Sequence, residues 1–124
     1  KIAGTAVTGS AAALNALTAT TSGVAVGTVA AAGDSQANGG AIIGDFCVVT
    51  GADGTKGVVL PAGAIGKRVV IKNNANAVLK VYPASGGKIN AIAQDGAISM
   101  AAYTAAEFLA QTATQWFTLP LLLS

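Results

Sequence analysis

The sequence predicts an all-β fold: an antiparallel β-sandwich or jelly-roll-like domain with an extended N-terminal arm. Three observations predict it. From residue 42 onward, short runs of Val, Ile, Leu and Phe recur roughly every 8–12 residues, the spacing of sandwiches and barrels. Gly, Pro, Asn and Asp fill the intervals between those runs and supply turn chemistry. No helical stretch of roughly 10–15 residues separates the runs, which argues against a parallel α/β sheet. The 124 residues are expected to form one domain, with 1–33 as an arm or weak strands and 34–124 as the main sandwich.

The elements follow in order. Ala11–Leu17 could make two helical turns capped by Ser10, while Thr18–Thr21 and the Val24/Val26 alternation favour extended backbone. Residues 34–40 form a polar loop. Ile42-Ile43 and Phe46–Thr50 read as strand, and Gly51-Ala52-Asp53-Gly54 as a turn. Gly57–Leu60 is a short strand stopped by Pro61. Lys67–Asn73 places Val69 and Ile71 on one face and Arg68 and Lys72 on the other. Asn73–Asn76 is a turn, and Ala77–Tyr82 returns with Leu79 and Val81 inward, completing the strongest hairpin signal in the chain. Pro83–Gly87 is a further turn. Lys88–Ala93, Ala97–Ala102, Ala106–Ala110 and Trp116–Leu119 complete the strand set, the last two joined by a turn at Thr112–Thr114.

Composition narrows the function. With no His there is no imidazole base and no His metal site, and one Cys allows neither an internal disulfide nor a Cys-cluster zinc site. Only 12 residues are charged, and 28 Ala against 32 Leu, Ile, Val and Phe make for a thin core. Such a chain is expected to gain stability by associating with copies of itself. No apolar stretch is long enough to span a membrane. Lys1–Gly4 does not read as a signal peptide, and the missing initiator Met leads us to expect further residues upstream.

Charge is uneven. Residues 56–88 hold Lys56, Lys67, Arg68, Lys72, Lys80 and Lys88 with no acid, whereas the flanking segments are each net acidic. These cations read first as solvent-facing strand residues that discourage wrong pairing, and second as a face for an acidic surface.

Several motifs fall short of chemistry. Ser85-Gly86-Gly87-Lys88 spells S-x-x-K, but two central glycines oppose the helix that motif needs, so a turn is expected. Gly63–Lys67 lacks phosphate-loop spacing. Asp34, Gln36, Asn38, Gly39 and Asp45 approach a calcium loop, with Gln at the third position and Asp in place of the closing Glu. A plain polar loop is the expectation there, with calcium as the alternative. Cys47 lies in an apolar strand and reads as an inert buried thiol. Trp116 and Phe117 read as core anchors, with an exposed Trp116 pointing instead to sugar stacking. The carboxylates are scattered, so no catalytic pair, metal site or cofactor site is assigned.

Val58–Gly63, Gly66–Asn73, Leu79–Asn90 (with its VYPASGG-x-IN stretch) and Thr114-Gln115-Trp116 together resemble a small β domain of tailed-phage virion proteins of the head-decoration and head-fibre type. The resemblance covers about half the chain and brings no catalytic residues. It implies a non-enzymatic capsid decoration or cement protein on the virion exterior, assembled in the host bacterial cytoplasm. The implied partners are two further copies, forming a homotrimer, and the major capsid protein; nucleic acid and membrane are not expected partners. The candidate interface residues are Lys67, Arg68, Lys72 and Lys80 on a basic face, and Leu121, Leu122 and Leu123 in the tail, which read equally as an apolar patch or a last core strand. The alternatives are a head- or tail-fibre domain gripping a host glycan, a small carboxylate hydrolase, or a cell-surface β module.

Overall fold

The computed structural model describes residues 25–124. The expected helical turns at Ala11–Leu17 and most of the arm lie outside the described residues. Ten strands follow in chain order: β1 (Val26–Ala30), β2 (Gly40–Ala41), β3 (Phe46–Thr50), β4 (Gly57–Val59), β5 (Arg68–Asn73), β6 (Leu79–Tyr82), β7 (Lys88–Ile89), β8 (Ile98–Met100), β9 (Ala105–Ala110) and β10 (Gln115–Leu119). Among the described residues there is no helix, and so none that could cross a membrane. The all-β expectation therefore holds.

The pairing is mixed, which corrects the antiparallel expectation. One sheet has six strands in the order β1-β3-β5-β9-β10-β7, and the other has four in the order β2-β4-β6-β8. From β1 to β6 the chain alternates between the sheets. Each strand then lies parallel to the one two places earlier in the chain, so β3 lies on β1, β5 on β3, β4 on β2 and β6 on β4. Val26 pairs with Phe46, twenty positions on, and Phe46 with Val70, twenty-four on. This is a solenoid-like coil. Parallel strands need a long connection, usually a helix; here a strand of the opposite sheet supplies it. Antiparallel strands close the far end, with β9 on β5, β10 on β9 and β8 on β6.

The strong hairpin signal at 67–82 is a second correction. β5 and β6 belong to different sheets and do not pair. Their inward residues were read correctly, since Val69, Ile71, Leu79 and Val81 are all fully buried. The turn between them carries the chain across the core rather than back along its own edge.

Side chains from both sheets meet in one core. Across the six-stranded sheet the inward rows are Gly27–Cys47–Ile71–Ala106, then Val69–Phe108–Thr118, then Ala110–Trp116–Ile89. Val58, Leu79, Val81, Ile98 and Met100 face them from the four-stranded sheet. Gly27 ends its row because a Cβ there would sit 2.5 Å from Ile43 Cγ1.

Buried polar groups act as staples. Asn73 closes β5 and opens the expected turn, where its Oδ1 accepts from Ala75 N at 3.2 Å; its amide also lies within donating reach of the carbonyls of Ala77, Met100 and Ala101 at 2.8, 3.3 and 3.1 Å. Asn90 donates to Thr118 Oγ1 and the Leu122 carbonyl and accepts from Thr118 N, so it ties the C-terminal tail to the core. Ile42-Ile43, expected as strand, follows β2 as a loop in which Ile42 N still donates to Val59 O at 3.0 Å.

Candidate functional site

Strand geometry sends alternate side chains to opposite faces. Because Cys47, Val49, Val69, Ile71, Phe108 and Trp116 point into the core, their neighbours point out. On the six-stranded sheet the outward residues form rows across the strands. One row runs Val26–Phe46–Val70–Glu107–Leu119. A second runs Arg68–Leu109–Phe117, and a third Thr28–Val48–Lys72–Ala105. Val26 is 66% exposed, Phe117 46% and Leu119 58%. Phe46, Val48, Val70 and Leu109 are half-buried. The outer face of this sheet thus carries apolar side chains interspersed with Thr28, Arg68, Lys72 and Glu107.

The outer face of the four-stranded sheet differs. Lys80 Nζ donates to Ser99 Oγ at 2.8 Å, and Tyr82 Oη donates to the Asp34 carbonyl at 3.0 Å. Partial burial, with the Asp34 carboxylate nearby, raises the Tyr82 pKa above its ordinary value. That face is built for water.

The cations expected on one basic face are dispersed. Arg68 and Lys72 stand on the outer face of the six-stranded sheet, and Lys80 on that of the four-stranded sheet. Lys67 is half-buried just ahead of β5. Arg68 forms an ion pair with Glu107, and Lys72 donates to the Tyr103 carbonyl. No continuous basic surface results, because the solenoid turn places β5 and β6 in separate layers.

The tail alternates as a strand would. Leu121 and Leu123 are exposed, at 68% and 67%, whereas Leu122 packs against the core. Ser99 N donates to the Leu123 carbonyl at 2.8 Å, so the tail runs along the free edge of β8. The segment is not a further strand, since β10 ends at Leu119.

The remaining candidates resolve as local structure. Asn38 Oδ1 accepts from Asp34 N, Ser35 N and Ser35 Oγ, and Gln36 Nε2 donates to the Pro83 carbonyl; two members of the calcium-like set are thereby engaged within the protein. Among the described residues no group of three or more His, Cys, Asp or Glu gathers as a metal site would require. Cys47 is fully buried, and Trp116, at 1% exposure, offers no platform for a sugar. Phe117, read as a core anchor, instead faces outward. Ser85–Gly87 is a turn, with Gly87 N donating to the Ala84 carbonyl.

An open groove of about 480 Å³ lies at one end of the outer face of the six-stranded sheet, lined by Asp45, Phe46, Arg68 and Val70. This face is what sequence reasoning missed, and a signal for it existed. The runs Phe46-Cys47-Val48-Val49, Val69-Val70-Ile71, Phe108-Leu109 and Trp116-Phe117 do not alternate. Near-continuous apolar runs mark strands covered on both faces, a habit of parallel sheets. Searches of protein-family models, curated proteins and solved structures find no match to this chain.

Proposed function

We propose that this chain is a non-enzymatic structural protein of a tailed-phage virion. It assembles as a homotrimer and docks on the exterior of the head shell as a decoration or cement protein. The observation that carries the reading is the outer face of the six-stranded sheet, where Val26, Phe117 and Leu119 are exposed and uncovered among the described residues. Large exposed apolar patches on a soluble fold serve as interfaces. The shortage of ionisable groups and the local engagement of the candidate motif residues favour assembly over chemistry.

The glycan-binding alternative loses its main residue because Trp116 is buried. The test of the preferred reading is co-sedimentation of the purified chain with undecorated phage heads. Saturable binding at a fixed ratio to capsid subunits, with shells that resist heat better when loaded, is the expected result. No co-sedimentation at any ratio would overturn the reading.

A further inference from the structure

We infer that residues 6–10 pair, within their own chain, with the open edge of β1, so that residues 1–24 supply one further coil of the solenoid. This goes beyond the docking reading above and does not depend on it.

β1 is the outermost strand of its sheet. Ala25 O accepts from Phe46 N at 3.1 Å and Ala31 N donates to Thr50 O at 2.8 Å, so the odd-numbered residues here turn their backbone groups toward β3. By alternation Val26, Thr28 and Ala30 turn theirs away. Among the described residues no strand pairs with that side. Such edges recruit strands, and proteins guard them with charge, proline, a bulge or a cover. Val26–Ala30 has no charge and no proline, and its five consecutive pairs with β3 leave no bulge. The opposite end of the coil differs, because the tail runs along β8. The unguarded edge, beside the exposed Val26 and Ile43, calls for a cover.

The occupant follows from chain length. Val26 to Phe46 is a repeat of twenty residues, and Phe46 to Val70 one of twenty-four. Residues 1–24, the length of one coil, precede Ala25. Fifteen residues, 31–45, carry the chain from β1 to β3. With a repeat of twenty, a strand at 6–10 leaves the same number, 11–25, for the crossing, and a parallel crossover needs about a dozen or more. The pairs are then Ala6 with Val26, Val7 with Gly27 and Thr8 with Thr28. Residues 2–24 carry no charge and no proline, and Val7 and Thr8 suit a strand. A segment joined covalently to the start of the edge strand also has an effective concentration there that a free partner lacks.

The experiment is amide hydrogen exchange, followed by NMR, on the full chain and on Val7→Pro, which loses an N–H that faces β1 in this pairing. In wild type, Val26, Thr28 and Ala30 are expected to exchange at least ~100-fold more slowly than free amides. In Val7→Pro they are expected to approach the free rate, while Gly27 and Val29, directed at β3, stay protected and report an intact fold. A mixture of isotope-labelled and unlabelled chains, read for contacts between Val7 and Gly27, is expected to show them only within one chain. That measurement decides the matter if the proline variant does not fold. Free exchange at all three amides in wild type would overturn the inference, as would protection that survives Val7→Pro. Contacts between labelled and unlabelled chains would assign the cover to a neighbouring copy and overturn it too. Failure to bind phage heads bears on the docking reading alone.

Discussion

Asn73 concentrates more hydrogen bonding than any other buried side chain described here, and it was legible only as a turn former. Asn is common in turns because its amide bonds to nearby backbone. Here the same amide reaches the carbonyls of Ala77, Met100 and Ala101, two of them far away in sequence. Asn73→Ala is expected to cost about 1–3 kcal/mol in urea unfolding, since the buried bond to the Met100 carbonyl and the part-buried ones to Ala77 and Ala101 are lost. Asp53, by contrast, was read correctly from its neighbours. Its Oδ1 accepts from Thr55 N, Thr55 Oγ1 and Lys56 N. Those bonds, the Thr55 backbone bond first, lower its pKa from 3.8 to about 2. The folded value lies below the unfolded one, so the stabilisation is complete above about pH 4 and lost as pH falls through about 2. Asp53→Asn should melt below wild type at neutral pH, and the gap should close near pH 2. An NMR titration placing the Asp53 carboxyl in the usual range would contradict this.

At the scale of elements, the inward rows were readable because each strand carries its own period-two pattern. Trp116 and Phe108 sit at the centre of two of these rows, and Trp116→Ala is expected to cost about 3–5 kcal/mol in thermal or denaturant unfolding. The C-terminal tail was readable only by halves, since its inward member, Leu122, is fixed by Asn90 on a distant turn. Asn90→Ala should loosen that strap. Hydrogen exchange at Ser99, whose N–H donates to Leu123, should accelerate, while amides within β5 and β9 keep their protection. Equal exchange at Ser99 in both proteins would mean that the tail holds without Asn90. The spacing of strands misled about pairing for a simple reason. Roughly ten residues separate successive strands in a sandwich hairpin and in half a turn of this solenoid alike, so spacing cannot tell return from crossing.

At the scale of the molecule, the two ends of the coil differ. The C-terminal end is closed by the β9–β10 hairpin and the tail along β8. Its two outer faces differ as well, one exposing Val26, Phe117 and Leu119 and the other presenting Lys80, Tyr82 and Ser99. Scattered cations that looked like a single basic face lie on two layers, with Arg68 already paired to Glu107. An interface driven by burial of apolar area, as proposed above, should persist at high salt, because screening weakens surface charge contacts and leaves hydrophobic burial intact. The solution mass is therefore expected to stay at three subunits in 1 M NaCl. Dissociation by salt would return the basic residues to the leading role.

Residue order alone determined the β character, most strand positions, the turns at Asp53, Pro83 and Thr112, and the identity of the core, because alternation and turn chemistry act within a few residues. The tertiary structure decided which strands became neighbours: β5 with β3 and β9, β6 with β4 and β8. It thereby decided that Val26, Phe46, Val70 and Leu119 share one row. Those choices depend on backbone hydrogen bonds between segments distant in sequence, and on which register buries the largest side chains. No local pattern encodes that competition, since every strand here could pair with several others and only their joint packing selects among them.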